Sequence, residues 1–255
     1  MTDITAVKTV TWWSDEMRSV PNSMLRSALF AVVKRGERRF IKNEVIASVG
    51  GIQIKYRGEQ LDQSDLTVFA QILNLSKCSV GENEIIFNTV DISAPDFLRG
   101  MGIATGGANV KCLVTTLTRL QGAVIEISHG KRAFSGQMLH NIRRDDKTKK
   151  YKIEINQELA NLFSENGFTR LQLDQRTQLR GKPLDLWLHA FYSSHSDTDK
   201  FHFSVEKIRN MCGSSSTDLN GFKRDLLKAM ENIKTAAGWK FFIEKDLIYL
   251  FKKPF

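Results

Sequence analysis

Apolar positions recur along this chain at helical and strand spacings, and the order in which the two alternate is repeated. Asp62 stands before a helix-spaced set, Leu66, Phe69, Ala70 and Leu73. A short strand, Glu84 to Phe87, follows. Ser93 and Asp96 then form a capping box for a helix through Phe97 and Leu98 that ends at Gly102. A second helix, Thr105 to Gln121, buries Val110, Leu113, Val114, Leu117 and Leu120 and leaves Asn109, Lys111, Thr115 and Arg119 facing out. Gly122 closes it. Alternation predicts strands over Val124 to Ser128, Ala133 to Ile142 and Tyr151 to Ile155, the last two joined through Arg143-Arg144-Asp145-Asp146-Lys147-Thr148-Lys149-Lys150.

The same order returns in the second half. A helix through Leu184, Trp187, Leu188 and Phe191 precedes a strand, Phe201 to Phe203, and a helix from Ser204 to Gly213. Leu219, Phe222, Leu226, Met230 and Ile233 then mark a helix up to Gly238. Trp239 to Ile243 and Leu247 to Phe251 make a hairpin turning at Lys245-Asp246. Leu98-Arg99-Gly100-Met101-Gly102 corresponds to Ile208-Arg209-Asn210-Met211-Cys212-Gly213, apart from one residue of length. This repeat predicts an α+β fold of two tandem winged-helix domains, residues 1–155 and 156–255. A helix from Gln157 to Phe163, stopped at Asn166-Gly167, links them without a flexible spacer. Upstream, a helix is expected through Ser23, Leu25, Ala28, Leu29 and Val32, and a strand over Gly51 to Gly58. Trp12 and Trp13 are expected to dock on a core or a partner.

Charge narrows the function. The 255 residues carry a net charge of +9, which favours a polyanionic partner, nucleic acid ahead of an anionic membrane surface. No stretch approaches the roughly 20 apolar residues of a membrane span, and no basic amphipathic helix stands free of a core, so a cytoplasmic location without membrane partners is expected. Cys78, Cys112 and Cys212 lack a C-x-x-C pairing and read as reduced thiols, more in keeping with packing than with a site. Gly100 to Gly107 has the wrong spacing and context for a dinucleotide loop. Gly130-Lys131-Arg132 and Gly181-Lys182-Pro183 lack the rest of a phosphate-binding loop. His129, His140, His189, His195 and His202 form no metal-binding pair, and Ser128 and Ser135 no nucleophile elbow. Neither an enzyme nor a cofactor is expected.

The most specific stretch is Met211 to Met230. Gly213 closes one helix, Ser215 with Asp218 caps the next, and the face opposite the apolar stripe carries Asn220, Lys223, Arg224 and Lys228, with the serine hydroxyls at its tip. Cations hold phosphates, and Asn or Arg can read base edges bidentately, as a helix in a major groove requires. In isolation the stretch also fits a capped surface helix with a solvated basic face. The cationic hairpin likewise fits either a wing on a phosphate backbone or the blunting of a strand edge by lysine. Their recurrence side by side in both halves favours DNA.

Two longer words carry a family resemblance: Trp13-Ser14-Asp15-Glu16-Met17-Arg18-Ser19-Val20-Pro21-Asn22 with Arg26-Ser27-Ala28-Leu29-Phe30, and Met211-Cys212-Gly213-Ser214-Ser215-Ser216-Thr217. From about Trp12 to Lys253 the chain resembles the TrfA family of plasmid replication initiators from broad-host-range plasmids. The segment from Lys34 to Gly51 departs from it. The resemblance implies a Rep protein that binds direct repeats (iterons) in double-stranded DNA at a plasmid origin, helps melt an A·T-rich segment, and brings in host initiator and replicative helicase. It also implies a monomer–dimer equilibrium with a homodimer interface on the N-terminal domain. The DNA contacts it implies lie on a second recognition helix, Ser215 to Thr235, through Asn220, Lys223 and Arg224, joined by Ser214, Ser215, Ser216, Thr217, Lys228 and Lys245. In the first domain they are Asn109, Lys111, Thr115 and Arg119, with Lys131, Arg132, Arg143, Arg144, Lys147, Lys149 and Lys150 on phosphates. A transcriptional repressor without initiation activity would use the same recognition chemistry and is the alternative.

Overall fold

Side-chain capping sets where several of the helices begin, and long-range pairing sets where the strands are cut. The computed structural model describes residues 14–34, 36–76, 79–80, 85–130, 132–163, 167–195 and 202–252. The chain runs through β1 (Met17–Pro21), a single turn α1 (Asn22–Leu25), β2 (Phe30–Ala31), β3 (Phe40–Ile46), β4 (Gln53–Glu59) and β5 (Leu61–Asp62). Asp62 then caps α2 (Gln63–Leu75): its carboxylate accepts the Ser64 and Asp65 N–H groups while Asp65 accepts the N–H of Asp62. β6 (Ser79–Val80) and β7 (Ile85–Ile86) pair with each other and lead to β8 (Val90–Ser93), α3 (Ala94–Gly100) and α4 (Gly107–Gly122). Next come β9 (Val124–His129), β10 (Arg132–Gln137), β11 (Leu139–Arg144), β12 (Lys150–Ile155) and a 3-10 helix over Gln157–Leu162. The remainder is β13 (Phe168–Gln172), α5 (Leu173–Gln178), α6 (Pro183–Ser193), β14 (Phe203–Ser204), α7 (Val205–Met211), α8 (Leu219–Ala237), β15 (Lys240–Glu244) and β16 (Leu247–Phe251).

Both halves contain one arrangement. In each, a helix (α2 or α6) leads through a short strand to a seven-residue helix (α3 or α7), a long helix (α4 or α8) and a hairpin. The three-stranded sheets have matching orders, β11-β12-β8 and β15-β16-β14, so the second hairpin strand is central in both. Ser93 accepts the Asp96 N–H at 3.2 Å and Ser204 the Lys207 N–H at 3.1 Å, capping α3 and α7. Both helices end in a Schellman turn on a left-handed glycine, Gly102 (φ 62) and Gly213 (φ 65). In the first turn Gly102 N–H donates to Arg99 O and Ile103 N–H to Leu98 O; in the second, Gly213 N–H donates to Asn210 O and Ser214 N–H to Arg209 O. Aligned on caps and turns, Leu98 therefore answers Arg209, and buried Phe97 answers buried Ile208. The one-residue gap expected from the sequence disappears.

Three expected elements are cut differently. Ala133 to Ile142 is not one strand: β10 pairs with β9 in a sheet of order β10-β9-β4-β3, and β11 joins the other sheet. The break falls at fully buried Met138, whose carbonyl accepts the Asn156 N–H at 3.1 Å while the Asn156 side chain donates to Gln137 O at 2.9 Å. The helix expected through Val32 stops after one turn because the chain pairs with a distant segment instead, Ser27 bridging Ser48 and Ala28 N–H donating to Ala47 O at 2.8 Å. The strand beside the cationic hairpin is β8, not Glu84 to Phe87; Val90 and Ile92 point inward there, and Glu84 lies outside the described residues, as do Trp12, Trp13, Asn166 and Phe201.

The first core gathers Leu66, Phe69, Phe97, Leu117, Ile125 and Ile153 and continues past the expected boundary at Ile155 to Leu159, Leu162 and Leu171. β13, beyond that boundary, pairs antiparallel with β1, Met17 opposite Gln172. The second core gathers Trp187, Phe191, Ile208, Phe222, Leu226 and Ile248. Hydrogen bonds join the halves: Trp187 Nε1–H to Ser27 O (3.2 Å), Val32 N–H to Cys212 O (2.7 Å), and Arg180 to the carbonyls of Met101 (2.7 Å) and Gly102 (2.8 Å).

Candidate nucleic-acid interface

In the second half the helix α8 begins at Leu219, and its cap is Asp218, which accepts the Asn220 N–H at 3.0 Å. Ser215 was the expected cap; its hydroxyl instead donates to Glu37 Oε2 at 2.7 Å, across to the first half. Gly221 permits the Asp218 cap, because a Cβ there would lie 2.5 Å from Asp218 Oδ2. Ser214 accepts the Ser216 N–H and Ser216 donates to Asp218 O, so both shape the turn, while Thr217 is exposed. Phe222, Leu226, Ala229, Met230 and Ile233 are buried; Asn220, Arg224 and Lys228 are exposed. Leu219, expected inward, is among the exposed residues. Lys223 is half-buried, and its Nζ lies 2.5 Å from Asp246 Oδ1 in the β15–β16 turn, tying helix to hairpin. Lys245 is exposed at that tip, where Lys245 (φ 48) and Asp246 (φ 62) are both left-handed, the pair of conformations a two-residue type I′ turn requires.

In the first half α4 presents Lys111 and Thr115 to solvent together with Val114, which the periodicity had placed inside, while Thr116 is buried in its stead. Asn109 is half-buried and its Nδ2 donates to Ala104 O at 2.8 Å, on the flank of α4 that faces α5 and α6. Arg119 corrects the expectation more sharply. Its side chain is 9% exposed; Nη1 reaches Asp65 Oδ1 at 2.5 Å and Nε lies 3.2 Å from Glu59 Oε1. Asp65 is fully buried and also receives Arg38 Nη1 at 2.9 Å, so Arg119 closes an ionic lock on the N-terminus of α2 and is not offered to a ligand. Burial opposes the Arg119 charge, but Asp65 and Glu59 outweigh it and raise its pKa. Cys112, expected to be packed, is exposed. Cys212 is buried, which pushes its thiol up to about 12.

The β11–β12 hairpin carries Arg143, Arg144, Lys147, Lys149 and Lys150 exposed at and around its tip. Asp145 stiffens that tip by accepting the Lys147 N–H at 2.8 Å and the Thr148 N–H at 3.2 Å, and these bonds, the Thr148 one first, hold its carboxyl below the usual range. Lys149 takes a left-handed φ of 58 there. Arg143 lies opposite Lys152 and Arg144 opposite Tyr151, whose ring the guanidinium overlies at 5.9 Å. Lys152, an exposed cation beside Arg143, was missed; its alternation with Lys150 along one strand face was the available signal. Lys150 also lies 3.6 Å from Asp91. Arg132 begins β10 opposite His129, in the other sheet, and Lys131 lies outside the described residues. The structure thus places α4 against β11 of the β11–β12 hairpin, and α8 against β15 of the β15–β16 hairpin.

The comparisons with known proteins agree with this architecture. The family model described as TrfA protein matches residues 4–251. The plasmid replication initiator protein TrfA of Escherichia coli is 26% identical over 230 residues, which cover 87% of this chain and 58% of that protein, so the chain spans little more than half the length of this relative. Among solved structures, the Pi initiator protein in complex with iteron DNA matches with a TM-score of 0.55 at 14% identity, covering 80% of this chain and 98% of that one. A structure of domains 2 and 3 of RctB matches with a TM-score of 0.56 at 11% identity, covering 91% and 98%. With the family model spanning nearly every residue, this α+β chain belongs to the TrfA protein family.

Proposed function

We propose that this chain is a plasmid replication initiator that grips iteron repeats in double-stranded DNA through two winged-helix units. The units run to Gln172 and from Leu173 onward, a boundary later than 155/156 because Leu171 packs in the first core. The observation that carries the reading is the doubled arrangement: each long helix turns a polar, cation-bearing face to solvent beside a hairpin, the first with a cationic tip and the second with Lys245 between Glu244 and Asp246. In the first unit Lys111 and Thr115 face the groove and Arg143, Arg144, Lys147, Lys149, Lys150 and Lys152 meet phosphates. In the second, Asn220, Arg224 and Lys228 face the groove, Lys245 meets phosphate, and Lys223 orients the hairpin through Asp246. Asn109 and Arg119 leave the DNA-facing set.

Two comparisons support the assignment of role: the Escherichia coli relative is a plasmid replication initiator, and the similar Pi structure holds iteron DNA. Binding free energy spent on duplex deformation is lowest over A·T-rich steps, which gives the opening of an adjacent segment a physical basis. The proposed host partners are an initiator and a replicative helicase. Homodimerisation is assigned to the first unit, where β3 is an edge strand exposing Phe40 and Val45. The test is footprinting on the DNA that neighbours the chain's own gene. Regularly spaced protected repeats are expected, and protection indifferent to sequence would overturn the reading. Origin-dependent plasmid maintenance in cells supplying the protein separates an initiator from a repressor.

A further inference from the structure

A cavity of about 420 Å³ lies between the two halves, within the range of roughly 300–1,000 Å³ in which small-molecule sites fall. Its walls are mainly apolar: Val68 from α2, Leu98 from α3 and Leu113 from α4 face Leu186 from α6. Into this setting the second half brings Arg176, whose residue surface is 5% exposed. Among the described residues its hydrogen bonds go to neutral acceptors near the long limit: Leu186 O at 3.2 Å, Gln63 Oε1 at 3.3 Å and Thr67 Oγ1 at 3.4 Å. Among the described residues no carboxylate forms an ion pair with it. Burial lowers its pKa to about 10, which leaves it charged at neutral pH. A buried charge held only by neutral groups is costly, and a carboxylate beside it recovers part of that cost.

Of the other charges at the cavity, Lys182 is exposed at the rim and the rest are already engaged. Arg18 donates to Gln71 and to Gly100 O, and Arg180 to the Met101 and Gly102 carbonyls. Asp62, the acid on the lining, is bound to Arg38 and to the N-terminus of α2. We propose that this cavity is a binding site for an amphipathic carboxylate, its apolar body between Val68, Leu113 and Leu186 and its carboxylate on the Arg176 guanidinium. Because α2 and α4 come from one half and α5 and α6 from the other, an occupant fixes their separation. On the DNA-binding reading that couples the ligand to the spacing of the two recognition helices; the binding itself does not depend on that reading.

The test uses the full chain without DNA, with decanoate as probe and decan-1-ol as its uncharged control, each titrated calorimetrically at pH 7.5. One saturable site is expected, with decanoate about tenfold or more tighter than the alcohol, the difference a charge-assisted bond supplies. Arg176→Met is expected to abolish that preference while leaving the alcohol bound. Cys112, an exposed thiol at the cavity wall, gives a second measurement that needs no variant. Decanoate should slow its alkylation by iodoacetamide at concentrations where decan-1-ol has no effect. Absence of a saturable site, equal affinity for acid and alcohol, an undiminished preference in a folded Arg176→Met chain, or alkylation of Cys112 indifferent to decanoate would overturn the proposal. These outcomes are independent of the footprinting result.

Discussion

Replacing Arg119 by methionine separates a structural role from a DNA-binding one. Methionine keeps the apolar stem and removes the guanidinium from fully buried Asp65 and from Glu59. Taking away one partner of a buried ion pair costs about 3–5 kcal/mol, because the remaining charge is stranded in a poorly solvated place. Here Asp65 retains Arg38 Nη1 at 2.9 Å and the Asp62 N–H at 2.8 Å, so the loss belongs at the lower end, about 3 kcal/mol. In a chain of this size that corresponds to a fall in Tm of about 6–12 °C. Asp65→Asn in the same background removes the stranded charge and leaves an acceptor for the Asp62 N–H. The double variant should therefore be more stable than Arg119→Met alone, with a coupling of about 1–2 kcal/mol. Thermal and urea melts of the four chains measure this cycle. A gel-shift series over salt concentration, run well below every Tm, measures the alternative: loss of a phosphate contact lowers the salt slope by about one and leaves stability nearly unchanged. A stable Arg119→Met chain with a reduced salt slope would refute the lock on α2 and return Arg119 to the interface.

The other predictions concern sites apart from that lock. His189 is buried, its Nε2 lies 2.8 Å from Gln175 Oε1, its ring stacks on Trp239, and burial lowers its pKa from 6.5 to about 3. A depressed folded pKa contributes stability that is present above pH 6.5 and lost as pH falls toward 3, about 2 kcal/mol of it by pH 5. His189→Phe should flatten the acid limb of a stability–pH curve by that amount, and an unchanged limb would show that this ring does not set it. Gly213→Ala combines a left-handed φ with a Cβ placed 2.9 Å from Ala31 Cβ, and should cost about 2–4 kcal/mol in urea unfolding. Adding Ala31→Gly should restore the contact portion only; complete restoration would mean that the backbone conformation costs nothing. Lys149→Ala should weaken specific and non-specific DNA alike and lower the salt slope by about one, whereas an unaltered slope would remove the β11–β12 tip from the interface.

What the sequence revealed and what it concealed divide by range. Asp62 and Ser93 were legible as caps, and Ser204 as the start of a helix, because a capping bond spans two or three residues of one segment. The single turn of α1, the corner at Met138 and the β1–β13 pair were not, because each is decided by a partner far along the chain: Ala47, Asn156 and Gln172. The outward face of α4 was mistaken for a related reason. An amphipathic stripe reports burial against one surface, whereas α4 is covered both by its own core and by the second half, so Thr116 is buried and Val114 is left outside. Arg119 was misread although a local signal existed. Glu59, Asp62 and Asp65 crowd three carboxylates around the start of α2, and such a cluster needs cations from elsewhere.

The stretch from Gly213 to Asp218 gains most from this distinction. With the cap at Asp218, the preceding residues form the turn between α7 and α8, and that turn is tied to the first half at two points. Gly213 packs within Cβ reach of Ala28 and Ala31, while Ser215 bonds to Glu37. The start of α8 is therefore anchored partly by residues from the N-terminal part of the chain, as the turn before α4 is anchored by Arg180 from the C-terminal part. Each proposed recognition helix is held in place by the opposite unit. A reciprocal arrangement of this kind makes the separation of α4 and α8 a property of the whole chain rather than of a linker; under the proposed function, the spacing at which both would meet one repeat is preorganised. The side chains of Ala28 and Ala31 and the carbonyl of Ser27 serve that junction, in the segment whose pairing with Ala47 and Ser48 ends α1 after one turn.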